Sequence, residues 1–121
     1  MLSVYVENIG EMAVVQCEGR IVRSEAAFKL REAVCSQRDA RIIVLDLSEV
    51  QAIEGGGLGM LVFLQRWAQE HDIRLKLFNP HQSALDRWEL AGSMPGLDIA
   101  TLEEIMALLA QCGHSRYAPA V

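Results

Sequence analysis

Glu54-Gly55-Gly56-Gly57-Leu58-Gly59 is the segment of this chain best placed to bind something. It joins a run with strand character to a run with helical character, so its backbone amides gather at a helix start, where peptide dipoles place partial positive charge. That is the chemistry of an anion site. A dinucleotide fingerprint, however, needs G-x-G-x-x-G opening the helix, and Met60 follows Gly59 here, leaving a compressed G-x-G-x-G. A phosphate loop needs Gly-Lys-Ser/Thr, and no lysine occurs between Lys29 and Lys76. These missing parts argue against a nucleotide-binding enzyme. They leave the glycines themselves to be explained. One glycine suffices for a tight turn, and each further glycine costs about 0.5 to 1 kcal/mol relative to alanine in regular structure.

The remaining reactive side chains are dispersed. His71, His81 and His114 fall near a helix end, at a helix start and in the C-terminal segment, with no spacing that gathers metal ligands or pairs a base with a nucleophile. Cys17, Cys35 and Cys112 are odd in number and fit no zinc or redox spacing, so they read as reduced thiols. Asp46 ends an apolar strand, where an open sheet can carry a catalytic acid, but no base or metal partner accompanies it. The chain is expected to be no enzyme, with no cofactor and no metal.

These residues must be positioned by the elements around them. Leu2, Val4 and Val6 alternate with Ser3, Tyr5 and Glu7, the pattern of a strand with one wet face near a sheet edge. Turn residues at Asn8-Ile9-Gly10-Glu11 lead into a second strand, Met12 to Glu18, which pairs back as a hairpin and is broken by Gly19. Ser24 caps a helix in which Ala27, Leu30, Arg31 and Val34 show the period of a half-buried face and which ends near Gln37. Arg41 to Leu47, with Ile42-Ile43-Val44-Leu45, is the central strand, covered on both faces.

After the glycines, Leu58 and the run Met60 to Leu64 are apolar around the whole helix, although a helix lying on a sheet needs only one stripe. If Leu58, Leu61, Leu64 and Ala68 face the core, then Met60, Phe63 and Trp67 form a second stripe covered by a neighbouring helix or by a protein partner. Trp67 is expected at the margin of such an interface. Phe63→Ala or Met60→Asp is then expected to weaken binding and leave the fold intact. Ile73 to Leu77 is a strand with one solvated face, closed by Asn79-Pro80. Gln82 to Ala91 reads as a third helix burying Leu85 and Trp88, Asp98-Ile99 as a short strand, and Thr101-Leu102-Glu103-Glu104 as the capping box of a last helix ending near Cys112. Residues 113 to 121 have no period and read as a flexible tail.

Bulk properties fit this layout. The 121 residues make one domain, 1–112, with 51% hydrophobic and 22% charged residues. Net charge −5 argues against sequence-independent binding to nucleic acid or anionic lipid, both of which need clustered Lys and Arg. The longest apolar run is too short to span a bilayer and the N-terminus has no basic flank, so a cytoplasmic protein without membrane insertion is expected. The order of elements gives an α/β sandwich: a central mixed sheet of four to five strands with about four helices packed on it.

Val44-Leu45-Asp46-Leu47-Ser48, Ile53 through Gly59, Leu75-Lys76-Leu77 and Leu90-Ala91-Gly92, in this order, resemble the STAS domain, whose best-known members are bacterial anti-sigma factor antagonists. The resemblance covers about residues 2 to 111. It implies partner-switching control of transcription, in which a kinase-type anti-sigma factor phosphorylates the second serine of Asp-Ser-Ser-Gly-Leu-Gly. Here Glu54 stands at the Asp, and Gly55 and Gly56 stand at the serines, so the phosphoacceptor is missing. The partner-binding residues it implies are Glu54, Gly55, Gly56, Gly57 and Leu58, beside the Met60, Phe63 and Trp67 stripe. STAS-like domains also resemble small accessory subunits of lipid-transport complexes, which grip a transport ATPase with the same helix face. Ser48 matches a common turn position in the family and is not expected to be a switch.

Overall fold

Two residues, Gly10 and Glu11, reverse the chain between the first two strands. Gly10 takes φ 60 at the first central position of the turn, which sets the register of β1 (Leu2–Ile9) against β2 (Met12–Ile21), from Ile9↔Met12 to Leu2↔Gly19. Three further strands, β3 (Ile42–Ile53), β4 (Arg74–Phe78) and β5 (Ile99–Ala100), add in parallel, giving the order β1-β2-β3-β4-β5. The computed structural model describes residues 2–21, 24–53, 56–80 and 99–117. Three helices are described: α1 (Ser24–Cys35), α2 (Gly56–Glu70) and α3 (Leu102–Tyr117).

The crossovers β2-α1-β3 and β3-α2-β4 both step in one direction across the sheet. Crossovers of one hand then place both helices on the same face. Their core joins Ala26, Leu30 and Val34 of α1 and Leu61, Leu64, Trp67 and Ala68 of α2 to Val15, Cys17, Ile43, Leu45, Leu47, Leu75 and Leu77 of the sheet. Each fully buried Leu, Ile or Val there contributes about 1.5 to 3 kcal/mol. The opposite face carries α3, whose Ile105 and Leu108 pack with Met12, Val44 and Ala100. At the sheet edge, Lys29 Nζ donates to the Leu2 carbonyl over 2.9 Å, occupying one outward-facing group of β1.

Several boundaries differ from the sequence reading. β3 continues six residues beyond Leu47 because its register against β2 shifts twice, between Gln16 and Glu18 and between Gly19 and Arg20. Each shift inserts one extra residue in β3, so Ile43, Leu45, Leu47, Val50 and Ile53 all reach the same core despite their broken alternation. β2 likewise passes through Gly19, which adopts φ 118. The expected solvated face of β4 is covered: Lys76 is only 4% exposed, beneath α3. α3 also stays helical to Tyr117, past its expected end near Cys112. The expected helix Gln82 to Ala91 lies outside the described residues, as do Trp88, Glu54 and Gly55.

α2 stops by local chemistry. Asp72 takes a left-handed φ of 56, and Ile73 N donates to the Ala68 carbonyl at 2.8 Å and Asp72 N to that of Gln69 at 3.3 Å, which closes the last carbonyls of the helix. α3 starts by another local device. Glu104 N donates to Thr101 Oγ1 at 3.1 Å while Thr101 N donates back to Glu104 Oε1 at 3.4 Å, forming the predicted capping box.

Candidate functional site

The glycine turn leaves β3 at Ile53 and enters α2 at Gly56. No acidic residue occupies the first turn of α2, so its positive end carries no internal counter-charge. Further along, Gly59 is exposed, and a methyl group built there would meet nothing within 4 Å. The backbone at this point is open to close approach.

Beyond Gly59 the helix divides into two arcs. Leu61, Leu64, Trp67 and Ala68 are buried, and Met60 is half-buried and packs against the same core. The outer arc is Gly59, Val62, Phe63 and Arg66. Phe63 is 41% exposed, and the Arg31 guanidinium of α1 lies 5.1 Å from its ring centroid. Phe28, one turn before Arg31 on α1, is also exposed.

The structure thus redraws the expected second stripe. Trp67 is 9% exposed and belongs to the core, where its ring stacks on His71 at a centroid distance of 4.7 Å. His71 Nδ1 donates to the Trp67 carbonyl at 2.8 Å, closing the helix end around the indole. The physical reason is the width of the buried arc: Met60, Leu61, Leu64, Trp67 and Ala68 recur at i, i+1, i+4, i+7 and i+8. Of the three residues expected on the stripe, Phe63 stands outside, Met60 lies at the boundary and Trp67 lies within. The reading missed Val62 and Phe28, and it set Arg31 on the half-buried stripe of α1, whereas Arg31 is exposed beside the Phe63 ring. In α1 the signal was available, since Phe28 falls off the Ala27, Leu30 and Val34 stripe and so points away from the sheet.

Asp46 and Ser48 form a separate polar cluster at the first register shift of β3. Ser48 donates from both its amide, at 2.9 Å, and its hydroxyl, at 2.6 Å, to Asp46 Oδ1. Asn79 Nδ2 donates to Ser48 Oγ at 3.3 Å. The Ser48 hydroxyl is therefore engaged in holding the bulge and tying it to the end of β4.

The thiols differ in setting. Burial first, and then the Asp46 charge, push the Cys17 thiol up to about 12, so it stays protonated and inert. Burial also raises Cys35, while Arg31 and Arg38 act against the rise. Among the described residues, no three His, Cys, Asp or Glu side chains converge as a metal site. No described helix is long and apolar enough to cross a membrane.

The STAS domain model matches residues 4–111 of this chain, and no curated protein sequence matches it. Among solved structures, the fold is similar to the anti-sigma factor antagonist SpoIIAA in its unphosphorylated form, with 17% identity and TM-score 0.71, covering 90% of this chain and 97% of that one. It is similar to the Bacillus cell fate determinant SpoIIAA in the phosphorylated form, with 18% identity and TM-score 0.67, covering 88% and 99%. An anti-sigma factor antagonist from Mycobacterium paratuberculosis matches with 18% identity and TM-score 0.74, covering 90% and 94%. At such identities the likeness is one of fold.

Proposed function

The chain belongs to the STAS domain family, and on that premise we propose that it is a non-catalytic protein-interaction module of the anti-sigma factor antagonist kind, without a phosphate switch at its docking turn. In this reading the docking surface is Glu54, Gly55, Gly56, Gly57 and Leu58 together with the outer arc of α2. Phe63 is its anchor, Met60 supports the margin, and Trp67 holds the helix from within.

One observation carries the reading. Gly56, where α2 opens, has no hydroxyl, and no Ser or Thr occurs from Glu49 to Ala68. A phosphate at that helix start would bring about −1.5 to −2 charges, enough to create or abolish an interface. SpoIIAA has been solved both with and without phosphate, whereas this chain offers no acceptor at the turn. Glu54 is not a permanent mimic, since it stands two positions before Gly56. On this reading no phosphate at the turn opens or closes the surface.

The partner in this reading is a kinase-type anti-sigma factor, in partner-switching control of transcription in a bacterial cytoplasm. Tagged chain is used to capture partners from its native cell, and the complex is then incubated with ATP. A histidine-kinase-like ATPase should be retained before and after ATP, with residues 54 to 59 unmodified by peptide mass spectrometry. Phosphate uptake in that segment, in step with release of the partner, overturns the proposal. Capture of an ATP-binding transport subunit instead makes the chain a transport accessory.

A further inference from the structure

Among the described residues, α1 carries a stripe that faces away from the sheet and is left largely open. Phe28, Arg31, Glu32 and Cys35 recur at i, i+3, i+4 and i+7, which is one side of a helix, and with Ser36 they line an open groove of about 460 Å³. Phe28 is 55% exposed. Through the Arg31 guanidinium over Phe63, the stripe continues onto Val62 and Phe63 of α2. Two aromatic rings and a valine exposed together mark an interaction surface more often than an idle one.

The charges select the occupant. A surface recognised by a partner of one net charge presents the opposite sign, but the middle of this stripe holds one cation and one acid side by side. That arrangement is complementary to its own image. With two copies of α1 crossing antiparallel about a two-fold axis between residues 31 and 32, Arg31 faces Glu32 of the second copy and Phe28 faces its Cys35. Symmetry repeats each contact, so both phenyl rings enter the opposite groove and both charge pairs are matched. We infer that this chain forms an isologous homodimer through antiparallel packing of α1 on α1 of a second copy. Phe63 lies at the rim of that contact, so a second copy covers part of the proposed docking surface; this consequence, unlike the dimer itself, rests on the function proposed above.

The test is sedimentation equilibrium of the full chain over roughly the micromolar to millimolar range, where an interface below standard size dissociates. The wild type should show a reversible monomer–dimer equilibrium. Phe28→Asp should be monomeric with unchanged circular dichroism and unfolding. Arg31→Glu and Glu32→Arg should each weaken the dimer at least about tenfold, a 1.4 kcal/mol effect, and should restore it when combined. In a Phe28→Cys variant, mild oxidation should link the introduced thiol to Cys35 of a second copy. Within one helix these positions are about 10 Å apart along the axis, beyond the reach of a disulfide. A monomer throughout, a dimer that survives Phe28→Asp, a combined reversal that stays monomeric, or a link that does not join positions 28 and 35 overturns the inference. A Phe28→Asp monomer that still captures the kinase-like partner shows the two surfaces failing or holding independently.

Discussion

Lys76 Nζ lies 3.4 Å from Glu104 Oε2, joining a buried lysine of β4 to the first turn of α3. The same Glu104 carboxylate closes the capping box with Thr101, so one side chain both starts the helix and fastens it to the sheet. Glu104→Ala removes both functions and should destabilise the fold by roughly 1 to 2 kcal/mol. Glu104→Gln keeps a capping-box residue and loses only the charge, so it should cost less. Lys76→Met breaks the pair from its other side but leaves Glu104, 47% exposed, hydrated and still capping the helix, so it should cost less than Glu104→Ala. Urea unfolding of the three variants measures the order, and a Lys76→Met variant less stable than Glu104→Ala would refute it.

Cys17 makes the fold sensitive to alkali. In the folded chain its thiol is pushed up from 9.0 to about 12 by burial and then by Asp46, whereas the unfolded chain releases that proton near the ordinary thiol value. The contribution is fully present below pH 9. It is lost as pH rises towards 12, because the unfolded state then binds fewer protons than the folded one. The slope is at most about 1.4 kcal/mol per pH unit. Stability measured by denaturant between about pH 8 and about pH 11, roughly one unit below to two units above the ordinary thiol value, should fall more steeply for the wild type than for Cys17→Ala.

Sequence periodicity made the order of the described elements, the edge position of β1, the central place of β3 and the capping box of α3 legible, because each leaves a local pattern of apolar, polar and capping residues. What it missed depends on partners distant in the chain. β3 was cut short at Leu47 because two extra residues break its alternation, and only the pairing with β2 shows that Val50 and Ile53 still face the core. Lys76 looked solvated because alternation reports polarity, and α3 covers it from 28 residues away. At the candidate site the glycine turn and Phe63 were visible in the sequence. Trp67 was misplaced because the buried arc of α2 is wider than one stripe, and Arg31 entered only when α1 packed beside α2.

That division of α2 predicts opposite behaviour at two neighbouring aromatics. Trp67→Ala empties a core position and should cost about 3 to 5 kcal/mol of stability. Phe63→Ala removes an exposed ring and its contact with Arg31, so its cost in stability should stay below about 1 kcal/mol. Binding to the captured partner should fall more than about tenfold for Phe63→Ala. Met60→Asp is a poor probe of binding, since Met60 packs on the core. Thermal unfolding and titration calorimetry on the same preparations separate the two effects, and a Phe63→Ala variant that unfolds like Trp67→Ala would place Phe63 in the interior.

Position 56 offers the most direct test of the missing switch. Gly56→Ser puts a hydroxyl at the opening of α2, where serine is compatible with a helix start and the backbone need not rearrange. The variant should keep its stability within about 1 kcal/mol and bind the partner when ATP is absent. With a kinase-type anti-sigma factor and ATP it should take up one phosphate at residue 56 and lose the partner, because the added charge enters a surface built without it. The wild type under the same conditions should keep its mass and its partner. Intact-mass spectrometry alongside a binding assay reads both quantities; a Gly56→Ser chain that is phosphorylated and still holds its partner would show that binding does not depend on the state of this turn.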